Sequence, residues 1–103
     1  MGSVENGRVL FMRLCAVCHN TGKDERHRIG PTLFGIFGRK SGTASGFNYS
    51  EQMKRKDVVW DENTLDQFLL LPRQFVPGTS MMFNGIKKAQ DRRDVIAFLA
   101  TLK

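Results

Sequence analysis

The sequence predicts an all-α domain of about four to five helices joined by long irregular loops. Three observations carry that expectation. Apolar residues recur at helical spacing in three separate stretches. No stretch alternates apolar and polar residues as a half-buried strand would. Between the first and second helical stretches, glycines at 22, 30, 35, 38, 42 and 46, with Pro31, read as consecutive turns.

Taken in order, Gly7, Leu10, Phe11 and Leu14 fall at i, i+3, i+4 and i+7, one face of a first helix. Gly7 is a poor helix former, so its place on that face points to close backbone approach by another element. The glycine-rich stretch from Asn20 to about Gly46 is too long for a plain loop in a small domain, unless it wraps something. A short helical piece is expected at about 50–55. Asp61 suits an N-cap, Glu62 the first turn, and Leu65, Phe68 and Leu69 share a face until Pro72 ends the helix. Residues 73–86, with Pro77-Gly78, read as a second loop. Val95, Phe98, Leu99 and Leu102 define the last helix, with Lys103 suited to its C-terminal dipole.

At 103 residues the chain is expected to form one domain over 1–103, with Met1-Gly2-Ser3 reading as a remnant of cloning. The 41% hydrophobic content excludes a disordered chain, and two Cys exclude a dense disulfide framework. No apolar run approaches the roughly 20 residues of a membrane span. The start, Met1-Gly2-Ser3-Val4-Glu5, lacks the charged head and apolar core of a signal peptide. Sixteen Lys and Arg against ten Asp and Glu give a net charge of +6, which favours acidic protein surfaces or a membrane surface. No nucleic-acid motif is present, and Lys54-Arg55-Lys56 reads as a solvated loop.

One motif carries chemistry. Cys15-Ala16-Val17-Cys18-His19 is C-x-x-C-H, the attachment signature of a c-type haem. A helical turn sets two thiols three residues apart, each able to bond a vinyl group, and the next residue presents an imidazole to the iron. Two other readings stand beside it. A redox-active C-x-x-C pair would want a βαβ context, which is lacking. A zinc site needs four ligands, and Cys15, Cys18 and His19 would need His27 as the fourth. For a haem, the candidates for the second axial position are His27, Met53, Met81 and Met82. The stretch Val76-Pro77-Gly78-Thr79-Ser80-Met81-Met82-Phe83 favours a methionine, because Pro-Gly fixes a turn and a thioether follows at once. A His/Met pair fills both axial positions and favours ferrous iron.

With these residues assembled, the sequence resembles class I cytochrome c of the mitochondrial and alphaproteobacterial type, over about residues 4–102. Besides C-x-x-C-H the resemblance rests on Gly30-Pro31-Thr32-Leu33, Gly38-Arg39-Lys40-Ser41-Gly42, Gly46-Phe47-Asn48-Tyr49-Ser50, Trp60, Val76-Pro77-Gly78-Thr79 and Phe83-Asn84-Gly85-Ile86-Lys87-Lys88. It implies a cytochrome c fold whose loops wrap one haem c, held through Cys15 and Cys18. It makes His19 the proximal ligand and Met81, following Pro-Gly-Thr-x, the distal one. Pro31 would lie beside the His19 ring, and Arg39, Tyr49, Trp60 and Thr79 near the propionates. Phe68 would face the distal ligand and Phe83 the exposed haem edge. Gly7 and Phe11 would cross the last helix at Val95 and Phe98.

The resemblance implies an electron carrier in a respiratory chain rather than an enzyme. The expected partners are quinol-cytochrome c reductase and cytochrome c oxidase, approached as a monomer through acidic surfaces. Several positions depart from the family. Phe68 stands where a Tyr is usual, removing a hydroxyl that reaches toward the methionine sulfur, and Met53 stands where mitochondrial proteins have Asn. Leu14 and Ser80 thin the basic ring around the haem edge, leaving Arg28, Arg73 and Lys87. These departures, with the strings Tyr49–Lys54 and Arg93–Leu99, favour a bacterial periplasm, with the mitochondrial intermembrane space as the alternative. Rival functions are a haem peroxidase, if Met81 leaves the iron readily, and a haem domain cut from an anchored or multidomain parent.

Overall fold

The computed structural model describes residues 2–16, 18–22, 27, 30, 32–43, 47, 49, 51–77 and 83–103. Among them are five helices: α1 (Val4–Leu14), α2 (Glu51–Arg55), α3 (Glu62–Leu70), α4 (Pro72–Phe75) and α5 (Ala89–Leu99). No strand occurs among the described residues; the one extended pairing is an isolated antiparallel bridge between Lys40 and Val59. No helix is long and apolar enough to cross a membrane.

α1 begins where Ser3, in extended conformation, turns its hydroxyl to accept from the Asn6 backbone N–H. It ends where the Cys15 and Ala16 N–H groups both donate to the Phe11 carbonyl, at 2.8 and 2.9 Å. Its buried positions are Gly7 and Phe11, and they meet α5. The rings of Phe11 and Phe98 lie 5.3 Å apart and tilted. Phe11 is 1% exposed and Val95 fully buried, each burial contributing about 2 kcal/mol.

α3 opens with a capping box. The Thr64 N–H donates to Asp61 Oδ1 and the Asp61 N–H to Thr64 Oγ1, both at 2.9 Å. These bonds hold the Asp61 carboxyl below the usual carboxylate range. Leu65, Phe68 and Leu69 form its buried face, as their spacing implies.

Three local expectations need correction. Pro72 does end α3, but it also occupies the first turn of α4, where its missing N–H costs nothing, so the loop begins three residues later than expected. α5 stops at Leu99, leaving Lys103 outside the last turn and away from the helix dipole. Its end is tied down instead by the Leu102 carbonyl, which accepts from the Gly35 N–H at 2.6 Å. Lys54 and Arg55 lie in the last turn of α2, and Lys56 is not simply solvated, because its ammonium sits 4.1 Å from the centre of the Phe75 ring.

The described part of the glycine-rich stretch from Asn20 to Thr43 holds no helix, and backbone bonds order it. Gly38 N–H reaches the Trp60 carbonyl at 2.8 Å, Trp60 N–H the Arg39 carbonyl at 2.9 Å and Ser41 N–H the Val58 carbonyl at 2.8 Å. Residues 38–41 thus zip against 58–60, with the Ser41 hydroxyl bonded to the Lys56 carbonyl. The loop is thereby laid across the N-terminal approach to α3.

Candidate functional site

The site is built outward from the end of α1. Helix α1 is fixed by α5, so the chain leaving it at Cys15 starts from a fixed point. A turn follows, in which the Cys18 and His19 N–H groups both donate to the Cys15 carbonyl at 3.1 Å. This places two free thiols, three residues apart, and the imidazole that follows the second on one turn. Gly30 and Leu33 then pair back with this turn: Gly30 N–H donates to the Cys18 carbonyl at 2.8 Å and Leu33 N–H to the Asn20 carbonyl at 2.9 Å. Gly30 consequently lies against the His19 ring, and a Cβ there would overlap three of its atoms. His19 is 8% exposed.

The thiols bear on the rival readings. Burial, and secondarily the neighbouring Cys18, pushes the Cys15 thiol up to about 11. A redox-active pair needs a depressed value, so this turn is not built as one. Among the described residues no three His, Cys, Asp or Glu side chains converge to hold a metal ion directly. His27, the fourth ligand that zinc would require, turns its Nδ1 to accept from the Thr32 N–H at 3.0 Å and its ring edge to Phe47 at 5.5 Å. Two thiols and one buried imidazole, with Cys15 itself part of the apolar core that walls this end of α1, suit a large covalently held group better than a bare ion.

That wall is aromatic. Trp60, Phe68 and Phe75 form a triad with ring separations of 5.4, 6.0 and 6.2 Å. Trp60 and Phe68 are buried, and Phe83, Met53, Leu33 and Phe37 pack against the same core. Met53 is therefore core filling.

Arg39, Tyr49 and Trp60, drawn together by the sequence reading, are neighbours. Trp60 is bonded to the Arg39 backbone, and the Arg39 guanidinium lies within electrostatic reach of Tyr49. Arg39 is half-buried, with Nη1 donating to the Phe34 carbonyl and Nη2 to the Thr32 carbonyl, both at 3.2 Å. Burial lowers its pKa from the ordinary guanidinium value, yet it stays cationic at neutral pH. Tyr49 stacks edge-on with Phe47 at 4.9 Å. Pro31, Thr79 and Met81, with Met82, Arg28 and Ser80, lie outside the described residues.

Sequence reasoning missed four participants. Phe75 completes the aromatic triad from α4, and Lys56 covers it. Arg92 is 8% exposed, with its Nε on Asp66 Oδ1 at 2.7 Å and Nη1 on the Ile86 and Lys87 carbonyls at 2.9 Å each. Asp94 is 3% exposed and accepts from Ser3 N–H, Asn6 Nδ2 and Gln90 Nε2 at 2.7, 2.6 and 2.8 Å. For Asp94 a signal existed: it stands at i−4 from Phe98, inside the apolar stripe of α5.

Comparison with known proteins agrees with this geometry. The family model for cytochrome c matches residues 4–103. The chain is 48% identical to cytochrome c of Sesamum indicum over 98 residues, covering 95% of this chain and 88% of that protein. It is 44% identical to cytochrome c of Gibberella zeae, covering 95% and 92% respectively. With cytochrome c of Kluyveromyces lactis the identity is 42%, covering 95% and 89%. The chain belongs to the cytochrome c family. It is a haem electron carrier rather than an enzyme, its haem c bound covalently through Cys15 and Cys18.

Proposed function

We propose that His19 and Met81 are the axial ligands of that haem, and that the protein carries single electrons from a quinol-oxidising complex to a terminal oxidase. The buried His19 ring, seated on Gly30 one residue after Cys18, is the observation that carries the reading. When bound, the haem supplies a one-electron ferric/ferrous couple. The chain supplies everything else. Cys15 and Cys18 hold the group to the end of α1, and Gly30 fixes the plane of the imidazole. Trp60, Phe68 and Phe75 keep water away from the distal side, so little has to reorganise when charge changes. The role of neutralising and hydrogen-bonding the anionic propionates falls to Arg39, Tyr49, Trp60 and Thr79, a reading supported by the half-buried Arg39 guanidinium within electrostatic reach of Tyr49.

The net charge of +6 supports partners with acidic surfaces, cytochrome c oxidase and quinol-cytochrome c reductase among them. The compartment we favour is the mitochondrial intermembrane space, the second of the two expected. The relatives above come from a plant and two fungi, and they lend no support to a bacterial periplasm. Stopped-flow oxidation of the ferrous protein by an oxidase tests the function. Fast second-order transfer that slows as salt rises is expected, and a rate indifferent to ionic strength would remove the steering argument.

A further inference from the structure

We propose that Asn84 is a modification site that deamidates spontaneously, with the Gly85 nitrogen as nucleophile and the Arg73 guanidinium as activator, and that the aspartate formed neutralises Arg73. The chain holds Asn-Gly twice, at Asn6-Gly7 and at Asn84-Gly85. Glycine has no side chain to hinder the approach of its nitrogen to the preceding side-chain amide, so both pairs have the sequence for this reaction. The fold closes one pair and leaves the other open.

Asn6-Gly7 lies inside α1, with Gly7 buried. The Gly7 N–H donates to the Ser3 carbonyl at 2.9 Å, so the nucleophile is committed to the helix. Asn6 Nδ2 donates to Asp94 Oδ2 at 2.6 Å. That carboxylate opposes the negative charge that attack on the amide would create. Asn84-Gly85 reverses each feature. Asn84 is exposed to water. Among the described residues the Gly85 N–H has no acceptor. Asn84 Oδ1 accepts from Arg73 Nη1 at 2.9 Å, which puts a cationic donor on the oxygen that becomes an oxyanion. Gly85 has φ 99° and lies so close to the Leu70 carbonyl that a Cβ would overlap it, so the fold itself demands the glycine that makes Asn84 reactive.

In the reaction the Gly85 nitrogen gives its proton to solvent hydroxide and bonds to Asn84 Cγ. The Cγ–Nδ2 bond breaks, ammonia leaves with a proton from water, and a cyclic imide remains. Water opens the imide. Cleavage of the new N–Cγ bond gives aspartate, and cleavage at the Asn84 main-chain carbonyl gives isoaspartate. Nitrogen is exchanged for oxygen, and nothing is oxidised or reduced. The aspartate carboxylate stands where the amide accepted from Arg73, and the protein is one unit less positive than +6. Arg73 is an expected member of the docking ring, so the modified protein is steered less strongly to acidic partners. This last consequence alone rests on the proposed function.

The test incubates the ferric holoprotein in mildly alkaline buffer, folded and in guanidinium, and maps its peptides by mass spectrometry. Each deamidation adds about 1 Da. In the folded protein Asn84 is expected to convert while Asn6 persists, and in guanidinium both are expected to convert at similar rates. Arg73→Gln is expected to slow conversion of Asn84 about two- to tenfold in the folded protein and to leave the rate in guanidinium unchanged. An Asn84 that survives folding conditions but converts in guanidinium would overturn the proposal. So would an Asn6 that converts alongside it, or an Arg73→Gln protein that converts as fast as wild type or faster. Asn84→Asp reads the consequence for docking. Its oxidation by an oxidase is expected to be slower than that of wild type at low salt and to depend less on ionic strength. A rate equal to wild type would remove that consequence and leave the site. A wild-type protein that no oxidase oxidises would fail the proposed function instead, with conversion of Asn84 still read by mass.

Discussion

Gly7 of α1 lies directly against the Asp94 carbonyl of α5, so close that a Cβ would overlap that oxygen and stand 3.0 Å from the Phe98 Cβ. The two helices that carry the ends of the chain are thereby brought to backbone contact. The haem-bearing turn begins at the next residue after α1, so the precision of that crossing passes directly to Cys15 and His19.

Gly7→Val should accordingly destabilise the ferric protein by roughly 2–4 kcal/mol, although the glycine itself costs a helix about 1 kcal/mol. Guanidinium unfolding followed by fluorescence measures it. A Gly7→Val protein as stable as wild type would mean that the helices can separate without loss.

Asp94 has its own pH signature. Bonds from Ser3, Asn6 and Gln90 hold its carboxyl below the usual range, so its folded value lies beneath its unfolded value of about 3.9. Its stabilisation is therefore complete above that unfolded value and is lost as pH falls through the folded one. The stability gap between wild type and Asp94→Asn should be full at pH 7 and shrink below about pH 4. A gap that stays constant down to pH 3 would contradict the assignment.

Phe68→Ala should remove two of the three contacts of the aromatic triad. The expected loss is about 3–5 kcal/mol, together with a weaker far-red band as water reaches the distal side. Unfolding curves and ferric spectra check the two effects independently; an unchanged band would show that the triad does not shield the distal ligand.

Much of this was legible before any coordinates. Gly7 on an apolar face announced a close crossing, Asp61 before a periodic stretch announced a cap, and C-x-x-C-H announced the group to be bound. Residues 38–41 zipping against 58–60 were not legible, because extended pairing between short loops leaves no periodic trace. Arg92 and Asp94 were hidden for another reason. A charged residue on a helix ordinarily reads as solvated, and among the partners of these two Asp66 lies 26 residues from Arg92 and Ser3 lies 91 residues from Asp94 in sequence. Lys56 was misread on the same ground, since the ring that it covers belongs to α4, which the proline had seemed to exclude. The compartment was read from bacterial-looking strings, and the relatives from a plant and two fungi give that reading no support.

His19→Ala should abolish stable haem incorporation while leaving Cys15 and Cys18 in place. Haem staining of the denatured protein on a gel reads this directly, and a fully stained variant would move the proximal role elsewhere.

The central claim is a covalent haem held between His19 and Met81. The measurement that tests it most directly is the absorption spectrum of the purified protein, ferric and then ferrous, after expression with a haem-attachment system. The account predicts a low-spin c-type spectrum in both states, with the weak far-red thioether band in the ferric state. A c-type spectrum without that band would displace Met81 from the iron, and a folded protein with no haem would contradict the account altogether.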